Sequence, residues 1–289
     1  MHGTVNPRIN YFPTEAHYPY LSLVSVGLSL YILTRFLERR PFHSLGLLAS
    51  RFTPILFFSG WIAQLVIAIA ATYILLYLQM GLLPKWPFFS FESDLTSLEF
   101  VHDTFQTLIV PVYEELLFRG YLLQTLWSGL GSVPAVLLSS FLFGLIHFPL
   151  HGSVGVLGAT MLGILCAIAC LKTRSLWLPI GIHFGLNFLS THTAHFAYLV
   201  VPTTMYKDVP SLHVLGISDP LFSLEFLVMA LLLLAIPLRP TQEARALWDR
   251  YVRPVSWPPW QRRLLTDTAE HDKDALQNAR DADDKSEPP

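Results

Sequence analysis

Charged residues are scarce in this sequence, and their scarcity argues against an ordinary soluble domain. Only 14% of the 289 residues are Asp, Glu, Lys or Arg, whereas a soluble domain has roughly 25%. Hydrophobic residues make up 52% of the chain. The formal net charge of -2 provides no basic surface for nucleic acid, so we exclude that class of partner. We expect this chain to lie in a lipid bilayer.

Cysteine is scarce as well, and a cationic leader is missing. Cys166 and Cys170 lie in one apolar run, which excludes a disulfide-stabilised fold and favours packing on one helix face. Residues 1–17 are polar, and no cationic stretch precedes the first apolar run as it would in a signal peptide. We therefore expect a short polar N-terminal segment followed by a permanent membrane anchor.

Long apolar runs are what the chain has instead. Several reach the ~20 residues that a helix needs to cross a hydrocarbon core. We predict an all-α fold, a polytopic transmembrane bundle of about seven helices (six to eight), over residues 18–238, with the seventh the most uniformly apolar. The predicted spans are, in chain order, about Tyr18–Phe36, Pro54–Leu78, Glu99–Leu126, Val133–Phe148, Val154–Leu171, Leu176–Val200 and Leu221–Leu238.

The distribution of Arg and Lys indicates how this bundle is oriented. These residues cluster at Arg39, Arg40 and Arg51 after the first span and at Lys172 and Arg174 after the fifth. Because cytoplasmic loops carry the excess of Lys and Arg, we expect an outside N-terminus and a cytosolic C-terminus. The connections on either side of the fourth span lack cations and leave the count in the middle open.

The pattern of cations favours a multi-pass protein of the plasma membrane, although a protein of the endoplasmic reticulum would show the same pattern. Residues 239–289 are rich in charged residues, Gln and Pro, and apolar residues become sparse toward the end. Such a composition buries too little surface to fold alone, so we predict a disordered cytosolic tail.

Three ionisable residues lie inside the third span, in the segment IVPVYEELLFRGYLL. An acidic or basic residue at the centre of a membrane helix costs at least ~2.5 kcal/mol on insertion scales, so its presence needs a reason. Glu115 and Arg119 have the spacing of an ion pair on one helix face. Glu114 is rotated by about 100° from Glu115 and lacks that partner. Its carboxyl group suits a general base, unless all three residues simply pair with other helices.

Polar residues of two later spans are also one helical turn apart. Phe143 and His147 end the fourth span in SSFLFGLIHFPL, and a single histidine at such a place is usually a satisfied interfacial residue. His183 and Asn187 lie on one face of the sixth span in SLWLPIGIHFGLNFL, so both can donate hydrogen bonds to one point. The glycines that flank His183 form a GxxxG pattern, which allows another helix to approach closely.

In this order, EELLFRG, FGLIH and HFGLN resemble the EExxxR, FxxxH and HxxxN motifs of the CPBP intramembrane proteases. The similarity covers about Leu108–Leu189. The family includes the type II CaaX prenyl endopeptidases and bacterial relatives, some of them linked to bacteriocin self-immunity. The resemblance implies an intramembrane endopeptidase of peptide or protein substrates, and for one branch of prenylated C-terminal peptides. It implies Glu114 as the base that activates water with His147 assisting, His183 and Asn187 as oxyanion donors, and Glu115, Arg119 and Phe143 as structural support.

Alternatives to a metal-free peptidase stay open at this level. Glu114, His147 and His183 could form the His₂Glu set of a catalytic zinc site. No HExxH pattern is present and the resemblance implies a glutamic peptidase, so we expect no metal and no other cofactor. A non-catalytic membrane scaffold or a bacteriocin-immunity-type protein would use the same polar residues to join helices. A transporter would use them as a proton relay.

If the helices are straight, His147 and His183 lie at different depths in the membrane. At ~1.5 Å per residue, His147 lies roughly 21 Å along the fourth span from its cytoplasmic end, and His183 about 10 Å along the sixth. We therefore predict that Ser175–Pro179 enters the membrane as irregular backbone and not as a simple helix start. A separation of more than about 12 Å between the histidines would count against shared catalysis.

Overall fold

The computed structural model describes residues 18–80, 98–192 and 223–252, and the regular elements of these ranges are all helical. The predicted all-α bundle is therefore confirmed. In the described ranges each predicted span is largely helical, whereas residues 193–200 of the sixth and 221–222 of the seventh lie outside these ranges. The segments Tyr18–Leu37, Thr53–Ala71 and Gly155–Thr173 are long and apolar enough to cross a membrane. The helices are α1 (Tyr18–Ile32), α2 (Thr53–Met80), α3 (Leu98–Glu115), α4 (Leu123–Leu130), α5 (Ser132–Ile146), α6 (Phe148–Thr173), α7 (Trp177–His192), α8 (Ser223–Ala235) and α9 (Gln242–Tyr251).

Helices α3 and α4 form one continuous helix through a π-helical turn at Leu116–Leu122. The junction residues Glu115 and Leu123 both have right-handed helical backbone angles. A π turn inserts one extra residue into a helix and frequently occurs at a functional site. In this chain it begins directly after the two adjacent glutamates and contains Arg119.

Helices α2 and α7 are in contact through backbone atoms because glycines line both surfaces. A Cβ on Gly181 would collide with the carbonyl oxygen of Phe57, and a Cβ on Gly185 would lie 2.8 Å from the Cβ of Gln64. On the α2 side, a Cβ on Gly60 would lie 2.9 Å from the backbone nitrogen of Ile182. The GxxxG pattern around His183 therefore brings α2 against α7, as the sequence predicts.

Helices α5 and α6 form a tight hairpin: His147 follows α5, and the non-helical backbone of Gly152 (φ 63°, ψ -165°) kinks the start of α6. A Cβ on Gly163 of α6 would lie 2.9 Å from the Cβ of Ser140 on α5. A Cβ on Gly144 would lie 2.6 Å from the carbonyl oxygen of Val156. These glycines allow two helices to pack closely and place the end of α5 beside the centre of the bundle.

The predicted irregular entry of Ser175–Pro179 is wrong, because α7 begins at Trp177. Pro179 lies in the first turn, where a backbone N–H would have no intrahelical partner in any case. The hydroxyl of Ser175 accepts a hydrogen bond from the N–H of Trp177 at 3.3 Å. The N–H of Leu176 donates to the carbonyl of Gly46 at 2.9 Å, so the α6–α7 turn is fixed to the α1–α2 connection.

The predicted disorder of the C-terminal tail is wrong for its first part, because residues 242–251 form α9. The hydroxyl of Thr241 caps this helix by accepting a hydrogen bond from the N–H of Ala244 at 3.2 Å. Ala244 and Trp248 are one turn apart and both are buried, which gives the short helix an apolar face to pack. The remainder of the predicted tail, residues 253–289, and the predicted N-terminal segment 1–17 lie outside the described residues.

Candidate active site

A buried ion pair forms the base of the site. An Nη of Arg119 lies 2.8 Å from Oε1 of Glu115, and both side chains are completely buried. The other Nη donates to the carbonyl of Gly163 on α6 at 3.1 Å. The guanidinium carbon also lies 4.3 Å from the centre of the Phe143 ring on α5. The pair is present at the spacing that the sequence predicts, and it joins α3 to α5 and α6.

His183 lies between the two adjacent glutamates. Its Nδ1 is 3.0 Å from Oε1 of Glu115, and its Nε2 is 3.7 Å from Oε2 of Glu114. Because the Glu115 carboxylate paired with Arg119 only accepts, Nδ1 carries the hydrogen of this bond. The 3.7 Å contact to Glu114 is longer than a direct hydrogen bond. Glu115 therefore orients the ring, and Nε2 faces Glu114.

Phe143 connects the two histidines of the site. The centre of its ring lies 4.7 Å from that of His147 and 5.7 Å from that of His183. These distances keep the imidazoles within about 10 Å of each other, inside the range that the sequence analysis set for shared catalysis. The predicted offset therefore does not keep the rings apart, since Phe143, one turn before His147, contacts His183.

The hydrogen bond of His147 fixes the tautomer of its neutral ring. Nδ1 lies 2.8 Å from the carbonyl oxygen of Phe143, and a carbonyl oxygen only accepts. Nδ1 therefore carries the hydrogen, and in the neutral ring Nε2 holds a lone pair. A histidine in this state can take a proton through Nε2.

Partial exposure separates the site residues into two groups. Glu115, Arg119, Phe143 and His183 are buried. Glu114 is 12% exposed, and the side chains of His147 and Asn187 are half-buried. The first group forms the supporting contacts, whereas the second can meet water and substrate.

Two polar groups of the site, a carboxyl oxygen of Glu114 and the side-chain amide of Asn187, make no hydrogen bond to another described residue. Oε2 of Glu114 is buried and has no hydrogen-bond partner there. The amide of Asn187 is one turn from His183 on α7, and no hydrogen bond joins it to another described residue. The arrangement thus presents a carboxyl oxygen and an amide beside the imidazole of His183.

The ligand set that the sequence left open for zinc is not assembled as a metal site. Within residues 18–80, 98–192 and 223–252, no group of three or more His, Cys, Asp or Glu side chains is placed to hold a metal ion. Glu114 and His183 face each other, and the ring centre of His147 lies 4.7 Å from that of Phe143.

Three contributors to this site were not predicted from the sequence. The carbonyl of Gly163 accepts from Arg119, and the ring of Phe118 lies 5.1 Å from that of Phe143 at a nearly perpendicular angle. A backbone carbonyl and an aromatic neighbour leave no signal in a sequence. The contact of Glu115 with His183 was also missed, although both are polar residues in apolar helices and that signal was available.

Comparison with known families gives a match to the part of the chain that contains these residues. Residues 96–189 match the model of the type II CAAX prenyl endopeptidase Rce1-like family. The matched range contains all the site residues, and it confirms the resemblance to the CPBP proteases. Neither the comparison with curated proteins nor that with solved structures gave a match. The match and the apolar helices together point to an integral membrane protein that is similar to a protease family over residues 96–189.

Proposed function

We propose that this chain, which belongs to the CPBP protease family through residues 96–189, is an intramembrane endopeptidase that uses Glu114 to activate water. The observation that carries the proposal is the position of His183 between Glu115, which fixes its ring, and Glu114, which faces its Nε2. Such a pairing places a proton acceptor and a possible oxyanion donor side by side.

The proposed reaction is the hydrolysis of a peptide bond. Water donates a proton to the carboxylate of Glu114 while its oxygen forms a bond to the carbonyl carbon. Negative charge then develops on the carbonyl oxygen, which Asn187 and His183 stabilise. The C–N bond breaks when the amine nitrogen takes a proton from Glu114, and the Nε2 lone pair of His147 assists the proton transfers.

Because of its hydrogen bond to Glu115, His183 can stabilise the oxyanion in only one protonation state. Nδ1 already uses its hydrogen in this bond, so Nε2 carries a hydrogen only when the ring is an imidazolium. The carboxyl groups of Glu114 and Glu115, one on each side, would balance that charge. Asn187 needs no such condition because its amide always has two N–H donors.

The proposed substrates are membrane-associated peptides, with prenylated C-terminal peptides as the first class to test. The proposed reaction needs no metal, since each step is assigned to a side chain of α3, of α7 or of the connection between α5 and α6. The location proposed is the plasma membrane, which agrees with the cations on alternate connections but is not distinguished by them from the endoplasmic reticulum.

The decisive experiment compares purified wild-type protein with Glu114→Ala and Glu114→Gln in cleavage of a prenylated CaaX peptide. We expect cleavage by wild type with and without a chelator, and none by either variant. Glu243→Ala removes an exposed carboxylate from α9 and serves as the matched control with wild-type activity. Cleavage by Glu114→Ala at the wild-type rate would refute the assignment, and a loss of activity in chelator that zinc restores would establish a metal enzyme.

The same assay tests the proposed oxyanion donor. Asn187→Ala removes one donor, which typically lowers kcat by ~10²–10³. We expect this loss in kcat with little change in KM, because the oxyanion exists only after attack. A non-prenylated peptide of the same sequence shows in parallel whether the lipid is required.

The alternative of a scaffold without catalysis receives less support from the contacts. The joining of helices is accomplished by Glu115, Arg119 and the carbonyl of Gly163. Glu114 contributes less to it, since its Oε2 lies 3.7 Å from His183 and makes no hydrogen bond to a described residue. A scaffold would retain its function in Glu114→Gln, because an amide can replace a carboxyl group that only packs.

A further inference from the structure

A second buried carboxyl group lies outside the site, in the helix that the sequence analysis treats as the most uniformly apolar. Glu225 in the first turn of α8 is only 4% exposed. It accepts a hydrogen bond at 2.8 Å from the amide of Gln64 on α2, which is completely buried. An ionisable residue within a membrane helix indicates a function, with its partner as the first place to look.

The stem of Gln64 contacts the active-site helix directly. A Cβ on Gly185 of α7 would lie 2.8 Å from the Cβ and 3.0 Å from the Cγ of Gln64. Gly185 is two residues from His183 and two from Asn187, and a step of two residues places it on the opposite face of the helix. Gln64 therefore supports α7 from behind, at the height of the two residues that face the site.

Glu225, which accepts this hydrogen bond, belongs to α8, and Lys172 fixes the far end of that helix. Nζ of Lys172 lies 2.6 Å, 2.9 Å and 2.6 Å from the carbonyl oxygens of Leu233, Leu234 and Ile236, where α8 ends. A cation at this position satisfies carbonyls that a helix leaves unpaired. Phe226, the neighbour of Glu225, is buried in the same apolar cluster as Phe143. Helix α8 is thus a firm support from which Glu225 can hold Gln64.

We infer that Gln64 and Glu225 are positioning residues for the active site: their hydrogen bond holds α2 against Gly185 and thereby sets the depth and rotation of His183 and Asn187. The catalytic part of this inference rests on the proposed peptidase function. A displacement of about 1 Å in a catalytic group can lower a rate by about 10²-fold, so a support behind α7 has kinetic consequences.

The kinetic test uses an exchange of the two side chains. We expect Gln64→Leu to lower kcat roughly ten- to a hundredfold with KM changed by less than about twofold. The double variant Gln64→Glu with Glu225→Gln reverses donor and acceptor, and kcat should return to within about threefold of wild type. Gln124→Leu is the matched control, because Gln124 at the start of α4 is also buried and accepts a hydrogen bond from Arg40. It should lower stability and leave kcat unchanged.

A measurement without substrate separates this inference from the peptidase function. The hydroxyls of Thr107 on α3 and Thr191 on α7 are 3.2 Å apart, so Thr107→Cys with Thr191→Cys reports the register of the two helices by the rate of disulfide formation. We expect Gln64→Leu to slow this reaction and the exchanged pair to restore it.

The outcomes distinguish the two proposals. If wild type cleaves no peptide but the disulfide rate follows the exchange, the peptidase proposal fails and the positioning role stands. If Gln64→Leu forms the disulfide at the wild-type rate and keeps its kcat, the positioning role is refuted. The same conclusion follows if the exchanged pair behaves like Gln64→Leu in both measurements.

Discussion

The two adjacent glutamates of α3 differ in what surrounds each carboxyl group. Glu115 is completely buried, and its Oε1 lies 2.8 Å from Arg119 and 3.0 Å from His183. Glu114 is 12% exposed and meets His183 only at 3.7 Å. The first environment holds a fixed negative charge, and the second leaves a carboxyl group within reach of water.

This difference predicts that a Glu→Gln substitution lowers stability at position 115 but not at position 114. Glu115→Gln leaves the buried guanidinium of Arg119 without its counter-charge, and we expect the free energy of unfolding to fall by roughly 3–5 kcal/mol. Glu114→Gln removes no such pair and should change it by less than about 1 kcal/mol, while abolishing activity. Denaturant unfolding in detergent, followed by helical circular dichroism, measures both. Equal losses of stability would contradict the division between the two residues.

The parts of the site within one helix could be predicted, and the parts between helices could not. The Glu115–Arg119 pair follows from a spacing of four residues on a helix. The bond from His183 to Glu115 joins residues 68 positions apart, and a sequence does not state which faces of two helices meet. The rise per residue predicts an offset between the histidines but cannot reveal that Phe143 contacts both of them.

At the level of helices, apolar runs predict the positions and bounds well because length and hydropathy decide where a span lies. They do not predict α9, a short polar helix that packs against the rest of the bundle through a buried side chain. Trp248 of α9 is 3% exposed and its ring centre lies 5.0 Å from that of Trp127 on α4. The guanidinium of Arg174 lies 4.2 Å and 4.5 Å from these two ring centres. The charged composition of residues 239–289 does not predict this packing.

The contact predicts that α9 contributes to the stability of the membrane domain. Trp248→Ala removes a buried aromatic ring and one face of the Arg174 contact, so we expect a loss of roughly 3–5 kcal/mol in unfolding free energy. Arg245→Ala changes an exposed residue of the same helix and should have little effect. Thermal unfolding of both variants measures the difference. An unchanged midpoint in Trp248→Ala would mean that α9 packs without stabilising the bundle.

At the level of the whole bundle, contacts between residues place the α1–α2, α4–α5 and α6–α7 connections at the same end. The N–H of Leu176 after α6 binds the carbonyl of Gly46 after α1, and Arg174 lies against Trp127 near the end of α4. The connection between α4 and α5, which carries no cation, therefore lies with the cationic ones. Over the described helices, this arrangement agrees with the predicted orientation, in which these connections face the cytosol.

The orientation makes a prediction about accessibility in intact cells. A membrane-impermeant maleimide added outside should label His102→Cys, since His102 is exposed near the start of α3, at the opposite end of the bundle. It should not label Arg250→Cys on α9 until the membrane is permeabilised. The native cysteines, Cys166 and Cys170, are completely buried and should stay unlabelled in both. Labelling of Arg250→Cys in intact cells would invert the orientation, and labelling of neither before permeabilisation would place the protein in an internal membrane.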